Sequence, residues 1–423
     1  MAKTVVLGGG ITGLVLGSEK GYPVYEKNPF PGGICASYYM GKDGKKHSYR
    51  ISPDTYRFEI GGGHWIFGVD DRTIEFLRRF SRFKKYSRKS AVFIPKLDKF
   101  IPYPLQYNLS FLPAEIRGKI IAEIESLNPA GIPKTLSEWL EKNFGHTLCN
   151  LFFFPFHNLY TAGLFTSVSS QDMYKTPFDK RYIRGGVPKT KTGYNAEFLY
   201  PEQGLDSFIR ALAEKTNLLC GKEAIKIDLD KKEILFSDGT MTGYDKIIST
   251  LPLNRTLKLA GIELKEPFAY TSVLEVNIGG ERGKNTPFDH WAYFPGTKSG
   301  FFRLGFYSNV DKSFLPKEEG DKKISVYAEK AFRGGRYLSL DEQREEADNI
   351  IAELTELGFI SSVDVSDYTF IDVAYTWEYP GSLWREKAIS ALQESSIYPL
   401  GRFGLWKFQG IAKSITDALN YNV

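Results

Sequence analysis

Cysteine and histidine are scarce. The 423 residues hold only Cys35, Cys149 and Cys220, with five histidines. The cysteines are far apart and form no CxxC pair. That excludes a disulfide framework, predicts no metal site, and points to a reducing, cytoplasmic setting. No stretch approaches 18 uninterrupted apolar residues, so no membrane span is expected. The opening MAKTVVLGGG reads as a strand entering a glycine turn rather than a signal peptide. Charge of one sign is also lacking. There are 55 Lys+Arg against 50 Asp+Glu, a net +5, too small and too dispersed for a nucleic-acid partner. The basic stretches at 78–88 (RRFSRFKKYSR) and 175–191 read as solvated faces or anion sites.

What is present is ordinary globular composition, 42% hydrophobic and 25% charged, with no internal repeat. The length suggests two to three domains. Aromatics reach 15%, with 31 Phe and 25 Tyr, which suits a wide stacked cleft and a generous core equally.

The first thirty residues carry the sharpest signal. Thr4–Leu7 reads as a buried parallel strand, and Gly8-Gly9-Gly10-Ile11-Thr12-Gly13 follows at once. In this GxGxxG, Gly8 permits a tight turn, Gly10 lets a pyrophosphate approach the backbone, and Gly13 lets the helix pack on the strand. The phosphates then face a helix N-terminus, where free N–H groups favour negative charge. A second strand, Tyr22–Tyr25, ends in Glu26, an acid placed to accept from a ribose 2′-OH and to disfavour a 2′-phosphate. Glu26 stands only 13 positions after Gly13, against about 20 in the usual spacing, so the helix between is short. Asn28-Pro29-Phe30-Pro31-Gly32-Gly33 adds a second phosphate-side turn. It resembles the flavoprotein pattern of the amine oxidase and protoporphyrinogen oxidase superfamily and turns the cofactor expectation to FAD.

Downstream, Phe58–Ile60 leads into Gly61-Gly62-Gly63-His64-Trp65, glycines and aromatics that suit close contact with something flat. His64 fits that role or a satisfied core position. Residues 114–163 read as helical, with 3.6-residue apolar spacing over Ala114–Leu127 and Leu136–Phe144. Phe152–Phe156 packs a core or lines a cleft. The polar, basic residues 166–195 are expected to form a mobile loop. Residues 223–252 read as a hairpin-like insert returning to a buried strand, and 270–310 and 324–328 as antiparallel strands. The expected fold is α/β (α+β overall). A Rossmann-like FAD-binding domain, discontinuous in sequence, takes 1–100, 200–262 and 385–423. A helical domain takes 101–180, and an antiparallel-sheet substrate domain 181–199 and 263–384.

Taken together, GGGITG, PFPGG, EIGGGHWIFG, FIPYPLQYNLSFLP, HWAYFPGTKSGFFRLGFYSNV and GRFGLWKF resemble, over the full length, the flavin-dependent UDP-galactopyranose mutase family within that superfamily. The resemblance implies a nucleotide-sugar pyranose/furanose mutase-like isomerase. It would use reduced flavin N5 as nucleophile, with no net redox, and would need a reductant for the flavin. It implies cofactor contacts at Gly8, Gly10, Ile11, Thr12, Gly13, Glu26, Lys27, Gly32, Gly33, Gly62, Gly63 and His64 in the first domain segment. Ile225, Thr250, Gly401, Arg402, Phe408 and Ile411 complete them from later segments. Substrate contacts would come from Tyr103, Asn108, Phe156, Arg181, Arg303 and Tyr379. Among these Arg303 falls on the family's diphosphate arginine, and Arg181 is one of several basic residues able to supply its second. His64 and Arg303 are the expected catalytic side chains.

The chain departs from that family at three places. Phe408 stands where the family has a second diphosphate tyrosine. Phe156–Thr161 lacks the family's lysine and tryptophan. Gly410–Lys413 replaces a polar tail. The superfamily also hosts FAD oxidoreductases acting on amines or apolar substrates, and that is the alternative activity. A flavin-binding protein without catalysis is a third class.

Overall fold

The computed structural model describes residues 3–127, 131–171, 178–184, 196–317 and 320–422. The expected loop at 166–195 lies partly outside them, at 172–177 and 185–195.

Thr4–Leu7 sits at the centre of a five-stranded parallel sheet in the order Leu218–Leu219, Val24–Tyr25, Thr4–Leu7, Lys246–Ser249, Ile397–Pro399. Three distant stretches of chain supply it. Alternation along each strand divides the packing. Val6, Val24 and Ile248 face helices Ile11–Lys20, Leu205–Ala213 and Ile411–Asn420. Val5, Leu7, Ile247 and Ile397 face Leu253–Leu259 and Trp384–Glu394. With helices on both faces, a near-continuous apolar run is what the central strand needs. The insert is a three-stranded antiparallel sheet, Ala224–Asp228, Glu233–Phe236 and Met241–Gly243, whose Ile227, Ile234 and Phe236 join the second of these clusters.

The second large element is a seven-stranded sheet: Ile360–Trp377, Ala269–Arg282, Lys323–Arg333, Arg303–Phe306, Trp291–Tyr293, Ser90–Ile94 and Lys99–Pro102. It is antiparallel except where Trp291–Tyr293 runs parallel to Ser90–Ile94. One boundary moves: the Ser90–Pro102 hairpin, assigned by sequence largely to the first domain, pairs with this sheet instead. Glu197–Pro201 pairs not with it but with Ile66–Phe67 and Phe83–Ser87.

One face of the seven-stranded sheet is covered. Leu274, Val276, Ile278, Val326 and Ala328 pack under Ala347, Ile350 and Leu354 of helix Leu340–Glu356. Alternation therefore sends Val273, Glu275, Tyr327, Glu329 and Arg303 to the opposite face, where a cavity lies. The helical region, Ala114–Ser126, Leu136–Leu148 and Phe154–Tyr160, walls that cavity through Leu136, Trp139, Phe152, Phe156 and Tyr160. Among the described residues no helix is long and apolar enough to cross a membrane.

Candidate active site

The cavity, about 1760 Å³, runs from the first glycine turn to the open face of the large sheet. It exceeds the roughly 300–1,000 Å³ of an ordinary small-molecule site, leaving room for a dinucleotide and a substrate together.

At the turn the three glycines divide the work. A Cβ at Gly13 would lie 2.0 Å from the Gly8 carbonyl oxygen, so this glycine is the helix–strand contact. A Cβ at Gly10 would meet nothing within 4 Å, because Gly10 faces the cavity. Helix Ile11–Lys20 starts there with no side chain capping its first amides. Those donors are left for an anion. The second turn is bonded onto the first, Gly32 N–H donating to Gly9 O at 2.8 Å. Glu26 is buried and accepts from Gly9 N–H at 2.7 Å and Asn28 N–H at 2.8 Å. Each carboxylate oxygen keeps acceptor capacity toward the cavity. An uncapped helix end, an open glycine edge and a fixed acid fit a dinucleotide with a free ribose 2′-OH.

The Gly61–His64 loop is held from behind. Glu59 is wholly buried. Its Oε2 accepts the His64 amide at 2.8 Å, and its Oε1 accepts Tyr200 Oη at 2.6 Å. Arg57 donates to Tyr200 Oη at 3.2 Å and stacks 4.0 Å from the Phe314 ring centre. Burial pushes the Glu59 carboxyl up to about 7 against the pull of these donors. The His64 Nδ1 lies 2.8 Å from the Gly62 carbonyl, so Nδ1 carries the proton and Nε2 is the acceptor. Burial holds the ring's pKa down at about 4, and it is neutral at pH 7.

The sheet face carries a polar row. Register places Glu275 directly opposite Glu329, Glu329 opposite Arg303, and Arg303 opposite Tyr293. The Arg303 guanidinium bonds Glu329 Oε1. Burial opposes the charge on Arg303, yet Glu329 beside it holds its pKa well above the ordinary value. Neither oxygen of Glu275 has a hydrogen-bond partner, nor do Glu329 Oε2 and Arg303 Nε. Burial lifts the Glu275 carboxyl well above the usual range, and the neighbouring Glu329 adds to it. Aromatic rings surround the row, among them Tyr103, Phe156, Tyr160, Phe302 and Tyr375. Arg402 closes the far side: Nη2 donates to Ala374 O at 2.8 Å, and its guanidinium lies 4.6 Å from the Phe408 ring centre.

Most sequence-expected residues converge on this cavity, from Gly8, Ile11, Thr12, Lys27 and Gly33 to Gly63, Ile225, Thr250 and Ile411. Six do not line it. Gly13 and Gly401 are packing contacts, a Gly401 Cβ falling 2.6 Å from Thr12 Oγ1, and Gly62 backs onto Glu275. Asn108 spends its amide on Pro104 O at 2.9 Å, at the end of a short helical turn. Arg181 is exposed and paired with Asp179. Tyr379 follows the end of strand Ile360–Trp377, outside the cavity; Tyr375, facing in from that strand, lines it instead. The residues that sequence reasoning missed are Glu275, Glu329, Tyr293, Tyr327 and His157. Only the two acids carried a signal, each standing inside an apolar strand, VLEVNIG and VYAEKAF.

A family model described as flavin containing amine oxidoreductase matches residues 22–278, more than half of the 423. The chain belongs to that family. Membership makes a flavin the cofactor class. Solved structures agree in fold. A reduced UDP-galactopyranose mutase superposes with TM-score 0.80 at 22% identity, over 99% of this chain and 94% of that one. A putative protoporphyrinogen oxidase from Exiguobacterium sp. 255-15 gives 0.69 at 14%, over 98% and 96%. Putrescine oxidase bound to putrescine gives 0.58 at 14%, over 99% and 97%. At such identities the likeness is one of fold, and mutase and oxidase share it.

Proposed function

We propose that the cavity holds FAD along the two glycine turns, and that the enzyme is a mutase-like isomerase of a nucleotide sugar bound against the seven-stranded sheet. The observation that carries this reading is Arg303. It rises from the middle of the sheet into an aromatic-walled chamber continuous with the glycine turn, and a guanidinium suits bidentate contact with a phosphate. The amides opening helix Ile11–Lys20 would hold the cofactor pyrophosphate, and Glu26 the ribose. A bound flavin supplies a nucleophilic ring nitrogen when reduced or a hydride acceptor when oxidised. His64 brings a neutral imidazole beside the Gly61–Gly63 backbone, with Nε2 placed as a hydrogen-bond acceptor. The rings of Tyr103, Phe156, Tyr160 and Tyr375 stack on a sugar and exclude water from it.

A second reading, an FAD oxidoreductase of an amine or apolar substrate, is favoured by one feature. Arg303 is already neutralised by Glu329, and Glu275 stands beside them, a balance that welcomes an anion poorly. The test is chromatographic assay of UDP-galactopyranose with purified protein, with and without dithionite. Conversion by reduced protein alone supports the mutase. No conversion in either state overturns it, and oxidation of amines by the FAD-loaded protein then tests the alternative.

A further inference from the structure

Two buried carboxyl groups are cross-strand neighbours on the open face of the large sheet, and a guanidinium flanks only the second of them. Glu275 and Glu329 are direct cross-strand partners, 0% and 3% exposed. Like charges placed so are destabilising, and a buried carboxylate with no partner is costlier still. The nearest cation, Arg303, is bonded to Glu329, and Arg402 adds positive charge on the Glu329 side rather than at Glu275. Glu275 is left with two buried oxygens and no donor. Groups facing it from the other packed elements do not help. Tyr327 is a phenol on the Glu329 strand, Glu59 adds a further carboxyl behind the glycine loop, and His64 is committed to Gly62. Gly62 itself, with φ +75, brings only backbone near: a Cβ there would fall 2.8 Å from Glu275 Oε1. The side chain lines the cavity, so the cavity's occupant is its remaining source of a partner.

We propose that Glu275 carries the one proton of the Glu275–Glu329 pair at neutral pH and donates it, as O–H, to an acceptor atom of the cavity's occupant. The acceptor is a carbonyl oxygen or ring nitrogen, which either a flavin ring or a substrate can present. Within the row the charges then pair off: Arg303 positive, Glu329 negative, Glu275 neutral. This deepens the reading above but rests only on the cavity and its polar row.

The experiment is infrared difference spectroscopy at neutral pH, wild type minus Glu275→Gln. It is run on flavin-free protein, on protein loaded with FAD, and on loaded protein with UDP added. A protonated-carboxyl C=O band is expected in the flavin-free difference spectrum. A shift to lower frequency on FAD loading identifies the flavin as acceptor, and a shift only with UDP identifies the substrate. Absence of the band overturns the protonation, and a band unmoved by both overturns the donation. Failure of the wild type to retain FAD would count against the cofactor reading, while the flavin-free spectrum still tests this one. Should Glu275→Gln not fold, wild type minus Glu329→Gln serves. There Arg303 is free to turn to Glu275 and ionise it, so the same band appears as lost from the variant; a band retained in Glu329→Gln overturns the sharing.

Discussion

The Glu26 carboxylate locks onto the backbone of Gly9, Oε2 accepting its amide at 2.7 Å. The acid ending the second strand is thereby part of the phosphate turn, although 17 positions separate the two residues. The short helix between them, Ile11–Lys20, is what lets so close a spacing work.

That turn makes two neighbouring glycines fail differently. Gly10→Val should leave the fold intact and abolish flavin retention, since its side chain projects into open cavity. Gly13→Val should unsettle the protein itself by driving Cβ into the Gly8 carbonyl, at a cost of roughly 1–3 kcal/mol or more. Flavin absorbance and thermal melting of both variants check this; normal flavin content in Gly10→Val would refute the assignment.

Glu59 gives a pH signature. Its folded-state pKa is raised from 4.5 to about 7 by burial, so the native state holds this proton more tightly than the unfolded chain. Stability should fall as pH rises from about 4.5 to about 7 and then level off, by about 3 kcal/mol from this group. Denaturant unfolding at pH 5 and pH 8 measures the difference, and Glu59→Gln should reduce it. An equal slope in the variant would contradict the buried-acid account.

Arg303 serves stability and, in the proposed function, binding. Arg303→Ala leaves Glu329 buried and unpaired, and should destabilise by roughly 3–5 kcal/mol. Replacing both by leucine should cost less. On FAD-loaded Arg303→Ala protein, calorimetry with UDP should show affinity weakened by roughly 2–5 kcal/mol at normal flavin content. Unchanged UDP affinity would rule out a diphosphate role.

Phe408 lies beneath Arg402 and stacks with Tyr375, the ring planes nearly parallel at 11°. Phe408→Tyr adds a hydroxyl on the cavity wall. If a nucleotide diphosphate binds there, affinity should rise by about 1 kcal/mol, read by fluorescence titration. No change would separate this ring from the nucleotide.

Sequence alone determined what is local. The first strand, the glycine turn, the Glu26 acid, the helical stretches and the hairpin-like insert all rest on contacts or periodicities short enough to be written in consecutive residues. Tertiary structure alone decided the partners of long antiparallel strands. Glu275 meets Glu329 and Tyr375 faces the cavity because Ala269–Arg282 pairs on both edges, and because its register with Ile360–Trp377 shifts near Thr271. A one-residue change of register moves a whole strand's side chains to the opposite face, and no spacing within one segment records it. The same reason hid the membership of the Ser90–Pro102 hairpin. Arg303 and the glycine-turn residues were legible one by one; Glu275 and Glu329 were not, because what makes them a pair is pairing across more than fifty residues of chain.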